Sequence, residues 1–332
     1  MWRIWVLGVL VVQLAGCATA LSGSEREAVA GKTYVITGAS SGFGKGVALQ
    51  LAGMKANVVL AARRTEVLNE VARQATAAGG TAMVVTTDVS RAEDVQRLAD
   101  AAISRFGRID VWINDAAVGA IGYFDTIPLQ DHARVVDVNL KGLIYGSHVA
   151  LRQFRKQGAG TLVNIGSVES EVPQAFHASY SATKAATLAL GRALNEELRL
   201  SGAHGISVAT VLPWAADTPF FSHAANYSGH TPRMPAMDDP QKVVDAIVRI
   251  SVQPQEELAV GWKAKAAYVS HRIAPDLTER ISANIAHKAQ FEMAPPASAT
   301  AGAVHQPMPG TTGVDGGNRQ RFQQEDAARR GD

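Results

Sequence analysis

Cysteine is nearly missing from this sequence: Cys17 is the single one among 332 residues. That excludes an internal disulfide and a cysteine-built metal site. Excess charge of either sign is missing too. Lysine and arginine total 32 against 30 aspartates and glutamates, a formal net charge of +2. With no net pull toward a polyanion, nucleic-acid binding is not expected. The longest apolar run, Ile4–Leu14, is shorter than the ~20 residues that a spanning helix needs. The nine histidines show no metal-ligand spacing, so no metal is expected. What is present is the composition of a folded protein, 47% hydrophobic and 19% charged, which excludes wholesale disorder.

Met1-Trp2-Arg3 is a short head with one positive charge, followed by the apolar run and then by Ala15, Gly16, Cys17 and Ala18. This is the secretory-signal pattern. Leu14-Ala15-Gly16-Cys17 resembles the lipobox of bacterial lipoproteins, whose cysteine is acylated and becomes the new N-terminus after cleavage. The resemblance implies a membrane attachment through Cys17, with residues 1–21 outside the fold. An uncleaved anchor, or a start codon upstream of the true one, would also keep these residues out of it.

From Gly31 the pattern alternates. Strand-like runs at 33–37, 57–61, 81–86, 111–113, 161–165 and 207–212 are separated by helical spacing at 43–53, 66–78, 92–106, 129–149 and 179–200. Near-continuous apolar strands between helices predict a parallel sheet covered on both faces, a doubly wound α/β fold in a single domain spanning residues 31–262. Residues 214–240 read as a long irregular loop, 240–250 as a helix and 257–260 as a last strand. Residues 263–291 predict a helical extension broken at Pro275. From 293 to 332 the chain turns to Pro, Gly, Ala, Thr and Gln with hardly any large aliphatic residue, which predicts a disordered tail.

The first strand runs into Gly38-Ala39-Ser40-Ser41-Gly42-Phe43-Gly44 and then a helix. Glycines let the backbone turn tightly against a phosphate, and the helix N-terminus supplies free N–H groups. The spacing Thr37-Gly38-x-x-x-Gly42-x-Gly44 resembles that of the short-chain dehydrogenase/reductase family, whose fold is of the Rossmann type. The resemblance extends along the chain: Asp88 with Val89 after the third strand, Asn114-Asp115-Ala116-Ala117 after the fourth, Asn139, Ser167, Tyr180-Ser181-Ala182-Thr183-Lys184, Pro213 and Thr218. It implies cofactor contacts at Gly38, Ser40, Ser41, Gly42, Phe43, Gly44, Asp88, Val89, Asn114, Ala116, Tyr180, Lys184, Pro213 and Thr218. Asp88 would bind the adenine amino group, and Thr218 would lie near the nicotinamide amide.

The choice between the two nicotinamide dinucleotides follows from charge. An NAD site places Asp or Glu about 20 residues beyond the glycines, on the ribose hydroxyls. Here that stretch reads Leu60-Ala61-Ala62-Arg63-Arg64, without a carboxylate. Arginine grips a 2′-phosphate with a charge-assisted fork. NADP(H) is expected, with Arg63 the main contact and Arg64 or Lys45 secondary.

A tyrosine of pKa about 10 is a poor base at neutral pH, and a nearby lysine cation favours its phenolate. Tyr180 and Lys184 are four apart, so on a helix they share a face. The family resemblance implies Tyr180 as general acid/base and Lys184 as its tuner and ribose ligand. It implies Ser167 on the substrate oxygen and Asn139 holding a water that links Lys184 to solvent. Ser170 competes with Ser167, and His177 is expected to line the cleft rather than to catalyse. Asp115 and Ala117 depart from the family's Asn-Asn-Ala-Gly, and Trp214 replaces a glycine that commonly follows Pro213.

Trp214, Phe220, Phe221, Tyr227 and Phe176 suggest an apolar pocket for a hydrophobic ketone, aldehyde or secondary alcohol, although lid packing would use the same residues. Family members are commonly dimers or tetramers, which implies a homo-oligomer. The N-terminus argues for a membrane location while NADPH is a cytoplasmic cofactor, and the side of the membrane stays open. The expected activity is carbonyl–alcohol interconversion; a non-catalytic, membrane-anchored nucleotide-binding scaffold is the alternative.

Overall fold

The computed structural model describes residues 21–330. Of the signal and lipobox segment read at 1–21, residues 1–20, Cys17 included, lie outside the described residues, and Leu21 packs against the core rather than standing outside the fold. Among those described, no helix is long and apolar enough to cross a membrane.

Helix α1 (Gly23–Val29) opens with a capping box, the Ser22 hydroxyl accepting from Glu25 N while the Glu25 carboxylate accepts from Ser22 N. Then strands and helices alternate: β1 (Thr33–Thr37), α2 (Gly42–Ala52), β2 (Asn57–Ala62), α3 (Thr65–Ala77), β3 (Thr81–Thr86), α4 (Ala92–Phe106) and β4 (Val111–Asn114). After the short β5 (Ala120–Ile121) come α5 (Leu129–Val136), α6 (Gly142–Gln157), β6 (Gly160–Ile165), α7 (Ala178–Leu200) and β7 (Ile206–Pro213). The loop expected beyond β7 carries a four-residue helix, α8 (Phe220–His223), and β8 (Ala225–Asn226), which pairs with β5. Helix α9 (Pro240–Val252) and β9 (Glu257–Val260) complete the alternation.

Seven strands form one parallel sheet in the order β3-β2-β1-β4-β6-β7-β9. Successive strand residues point to opposite faces, and here both faces are covered. Tyr34 and Ile36 pack with Val47, Leu51, Val244 and Ile247 on the side of α2 and α9. Val35 and Trp112 pack with Leu98, Ala150 and Phe154 on the side of α4 and α6. That double burial is why the strands read as unbroken apolar runs rather than as an alternation. The chain leaves β1 toward β2 on one side and reaches β4 on the other, so the crevice at the carboxyl ends of β1 and β4 is the place where a doubly wound sheet binds ligands.

Two expectations change. The helix expected over 129–149 is divided into α5 and α6 by a π-helical turn, Asp137–Lys141, that carries Asn139. The tail expected to be disordered has a defined course. After α10 (Gly261–Ile273) and α11 (Pro275–His287), it crosses the carboxyl ends of the strands and ends in α12 (Asn318–Arg330). Apolar burial contributes little to it, but ion pairs and backbone carbonyls do: Arg233, buried, holds Glu325 at 2.7 Å and Asp326 at 2.6 Å.

Candidate active site

The glycine turn follows β1 at the switch point. Gly38 (φ +75°) and Gly42 (φ +56°) adopt left-handed backbone that other residues reach at a cost. Space is as strict as conformation. A Cβ on Gly38 would stand 2.9 Å from Ala116 N, and one on Gly44 would stand 2.7 Å from the Gly38 carbonyl oxygen. The Thr37 hydroxyl fixes the neighbouring strand end, accepting from Asp115 N at 3.1 Å and Ala116 N at 3.2 Å. Ser41 caps α2 without a side-chain bond to its N-terminus. This cradle fits a dinucleotide phosphate: close backbone, a helix start and small side chains.

A groove leads from the cradle to Arg63, Arg64, Asp88 and Val89 on one side and to Thr218 and Phe220 on the other, with Ser40, Ser41, Phe43 and Ala116 along it. Arg64 donates to the hydroxyls of Ser40 and Ser41, each at 3.1 Å. Asp88 accepts from Ser90 and from Arg134. Asn114 differs from expectation. Its side chain turns into the interior, accepting from Trp112 Nε1 at 2.8 Å and donating to Asn164 at 2.9 Å, so it braces β4 against β6.

A second cavity, about 650 Å³, joins the groove at Phe43, Asp115, Ala117, Thr218 and Phe220. Ser167, Tyr180 and Lys184 all line it, and so does Pro213. Ser167 follows β6 directly, with its hydroxyl accepting from Glu169 N at 3.1 Å. Ser170 does not compete for the cavity; its hydroxyl accepts from Ser167 N at 3.2 Å and props the serine from behind. Lys184 Nζ lies 5.4 Å from the centre of the Tyr180 ring and donates to the Ile165 carbonyl at 2.6 Å. Asn139 is committed to packing: its amide accepts from Val118 N at 2.8 Å and donates to Val118 O at 2.9 Å and to Thr183 at 3.2 Å.

Burial raises the Tyr180 pKa and the Glu169 carboxylate raises it further, against a lowering hydrogen bond from Ser167, so the phenol stays protonated. Burial brings Lys184 down to about 8 in spite of Asp115 and Glu169. Burial also lifts Asp115 to about 7, opposed by Lys184 and by a hydrogen bond from Gly44 N.

Three features of the large cavity were not legible in the sequence. Glu169, buried, accepts from Ser181 Oγ at 2.7 Å and lies 3.2 Å from His177 Nδ1, which makes a polar pair on the wall where His177 was expected. Trp262 of α10 and Ile281 and Ile285 of α11 line the cavity, so the extension belongs to the site. Of the five aromatics expected there, Trp214, Phe220 and Phe221 line it. Tyr227 instead donates to Asp131 at 2.6 Å, and Phe176 packs edge-to-face with Tyr123 and Phe291 outside it. No cluster of metal-ligating side chains occurs among the described residues.

The family model described as short chain dehydrogenase matches residues 32–227. An uncharacterized oxidoreductase of Bacillus subtilis (strain 168) is 34% identical over 267 residues, covering 80% of this chain and 75% of that one. Among solved structures, a 3-ketoacyl-(acyl-carrier-protein) reductase from Brucella melitensis complexed with NADH is similar at 27% identity, with a TM-score of 0.62 over 70% of this chain and 97% of its own. An alcohol dehydrogenase from Thermococcus sibiricus complexed with 5-hydroxy-NADP is similar at 25% identity, with a TM-score of 0.60 over 69% of this chain and 95% of its own.

Proposed function

The chain belongs to the short-chain dehydrogenase family, and from that premise we propose that it is an NADP(H)-dependent oxidoreductase interconverting a carbonyl and an alcohol on a hydrophobic small molecule. One observation carries this reading: Ser167, Tyr180 and Lys184 meet on the wall of an apolar cavity that opens into the groove of the glycine turn.

Gly38, Gly42, Gly44, Arg63 and Thr218 would hold a nicotinamide dinucleotide in the groove, and the bound group would supply the hydride. The Ser167 hydroxyl orients the substrate oxygen. Tyr180, held protonated by its surroundings, donates the proton to that oxygen. Lys184, anchored on Ile165, stabilises the phenolate that this leaves. Asn139 and Lys184 line one small cavity, which is where the relay water implied by the family resemblance would sit. Apolar walls from Val168, Phe221, Trp262 and Ile281 favour a bulky hydrophobic substrate.

The preference for NADP(H) rests on Arg63 and Arg64 at the end of β2, where an NAD site carries a carboxylate. Homo-oligomer formation rests on family resemblance and on Leu129, Val136 and Ile144, which α5 and α6 leave exposed. Lipid attachment rests on Leu14–Cys17 alone, and labelled fatty acid on the natural chain but not on Cys17→Ala is its test. The activity is tested with a panel of ketones and aldehydes followed by NADPH absorbance. Turnover that vanishes in Tyr180→Phe supports the reading; a folded chain that binds dinucleotide but turns over nothing makes it a scaffold.

A further inference from the structure

The C-terminal segment does not hang free of the site; it spans the groove from end to end. At the adenosine end Arg63 donates to the carbonyls of Ala303 (2.5 Å) and His305 (2.9 Å), and Arg64 donates to those of Met308 and Gly310 (3.3 Å each). Over the glycine turn, Lys45 Nζ donates to Thr312 O at 3.1 Å and Gly42 N to Gly313 O at 2.9 Å. At the nicotinamide end, Asp217, next to Thr218, accepts from the backbone N–H groups of Asn318 and Arg319, both at 2.8 Å. Two close backbone approaches fix its path: a Cβ on Gly302 would lie 2.4 Å from His223 O, and one on Gly316 would lie 2.4 Å from Thr218 O.

The segment covers the groove and, in this closed state, seats its own carbonyls on Gly42 N, Arg63 and Arg64, donors that a dinucleotide would take. Ala303, Pro307 and Met308 form a roof over a cavity whose floor still runs from Arg63 and Asp88 past Gly38 to Thr218. Val304 alone inserts fully, into the apolar cluster that includes Val89. A roof of this kind, tied on both sides, blocks a long ligand from entering or leaving until it lifts.

We propose that residues 303–319 are a clamp that lifts to admit the dinucleotide, yields Gly42 N, Arg63 and Arg64 to it, and closes over it so that its release is slowed. This rests on the cofactor reading of the groove. The contacts suit a reversible device: most are hydrogen bonds from arginine and lysine to neutral carbonyls, individually modest and renewable. Behind them, Arg233 with Glu325 and Asp326 tethers α12, so that the strap lifts without being lost.

The experiment measures release. Full-length protein, a chain ending at Gly302, and the double variant Glu325→Gln/Asp326→Asn are loaded with NADPH. Each is then chased with excess NADP in a stopped-flow instrument, following NADPH fluorescence. The double variant leaves every groove residue in place and guards against a truncation that fails to fold. The expected result is release at least ten-fold faster from the shortened chain, an intermediate rate from the double variant, and NADPH retained by the full-length chain through gel filtration. Equal release rates overturn the clamp. Tighter binding by the shortened chain without faster release also overturns it, because the segment would then merely obstruct the groove. If folded full-length and shortened chains bind neither NADPH nor NADH, the cofactor reading itself fails and the clamp falls with it.

Discussion

Arg134 of α5 reaches across to Asp88 beyond β3, its Nη2 standing 2.6 Å from the carboxylate, while its Nε donates to Val304 O at 3.2 Å. Burial opposes ionisation of Asp88, but the hydrogen bonds from Arg134 and Ser90 outweigh it and hold the carboxyl below its usual range. Arg134 thus fixes the orientation of the residue expected to meet adenine. A charge-assisted bond contributes about 1.5–3 kcal/mol. Arg134→Ala is therefore expected to raise KM for NADPH about ten-fold or more, with kcat nearly unchanged. A depressed carboxylate pKa means that the pair is intact above the ordinary range and lost only as pH falls below it, so the effect should be flat between pH 6 and 8. A fall in kcat equal to the rise in KM would place Arg134 in some other role.

Arg63 serves both the strap and, on the present reading, the 2′-phosphate. Comparing the two dinucleotides separates these roles. Loosening the strap affects NADPH and NADH alike, whereas loss of a phosphate contact affects only NADPH. Arg63→Ala is expected to lower kcat/KM with NADPH at least ten-fold relative to that with NADH. Steady-state kinetics with both cofactors checks it, and an unchanged ratio removes Arg63 from the phosphate site.

Much of this arrangement was legible because it is local. The apolar runs predicted the strands since both faces of each are covered, as at Tyr34, Val35 and Ile36. Tyr180 and Lys184 share a helix face by spacing alone. The misjudged parts depend on distant partners. Composition described residues 293–332 as too polar to fold, but composition counts apolar surface. It is blind to carbonyls that meet Arg63, Arg64 and Lys45 some 240 to 267 positions away. Phe176 and Tyr227 have the right chemistry for a pocket wall, yet their nearest partners are Phe291 and Asp131. Asn114 reads as a cofactor contact until Trp112 and Asn164 are seen to occupy its amide.

Ser167 and Ser170 offer a sharper test of the reacting centre than either alone. Both are buried and three apart, but only Ser167 faces the large cavity. A positioned proton donor contributes about 10²–10⁴ in rate. Tyr180→Phe is expected to lose kcat within that range, and Ser167→Ala is expected to follow it with a smaller loss. Ser170→Ala removes only the acceptor for Ser167 N, and its kcat should fall less than ten-fold. The reverse order of the two serine variants would exchange their assignments.

Asp115 stands where the family motif has asparagine, half-buried between the glycine turn and Lys184 at the junction of the two cavities. A Cβ on Gly44 would come within 2.8 Å of its carboxylate, so the glycine turn shields the charge on that side. Burial lifts its pKa to about 7, from an unfolded value near 3.9. Between those values the folded chain binds a proton that the unfolded chain has released, so stability falls as pH rises through the window. Below about pH 4 both states are protonated and the penalty is absent; above about pH 7 it is complete. Asn in its place stays neutral at every pH and retains an acceptor for Gly44 N. Asp115→Asn is therefore expected to melt at a higher temperature than the natural chain at pH 8, with the gap narrowing steadily toward pH 5. Thermal denaturation of the two chains across that range is the measurement. A gap that widens on acidification would mean that Asp115 is held ionised by Lys184, and that this ion pair, rather than a buried neutral acid, supports the turn.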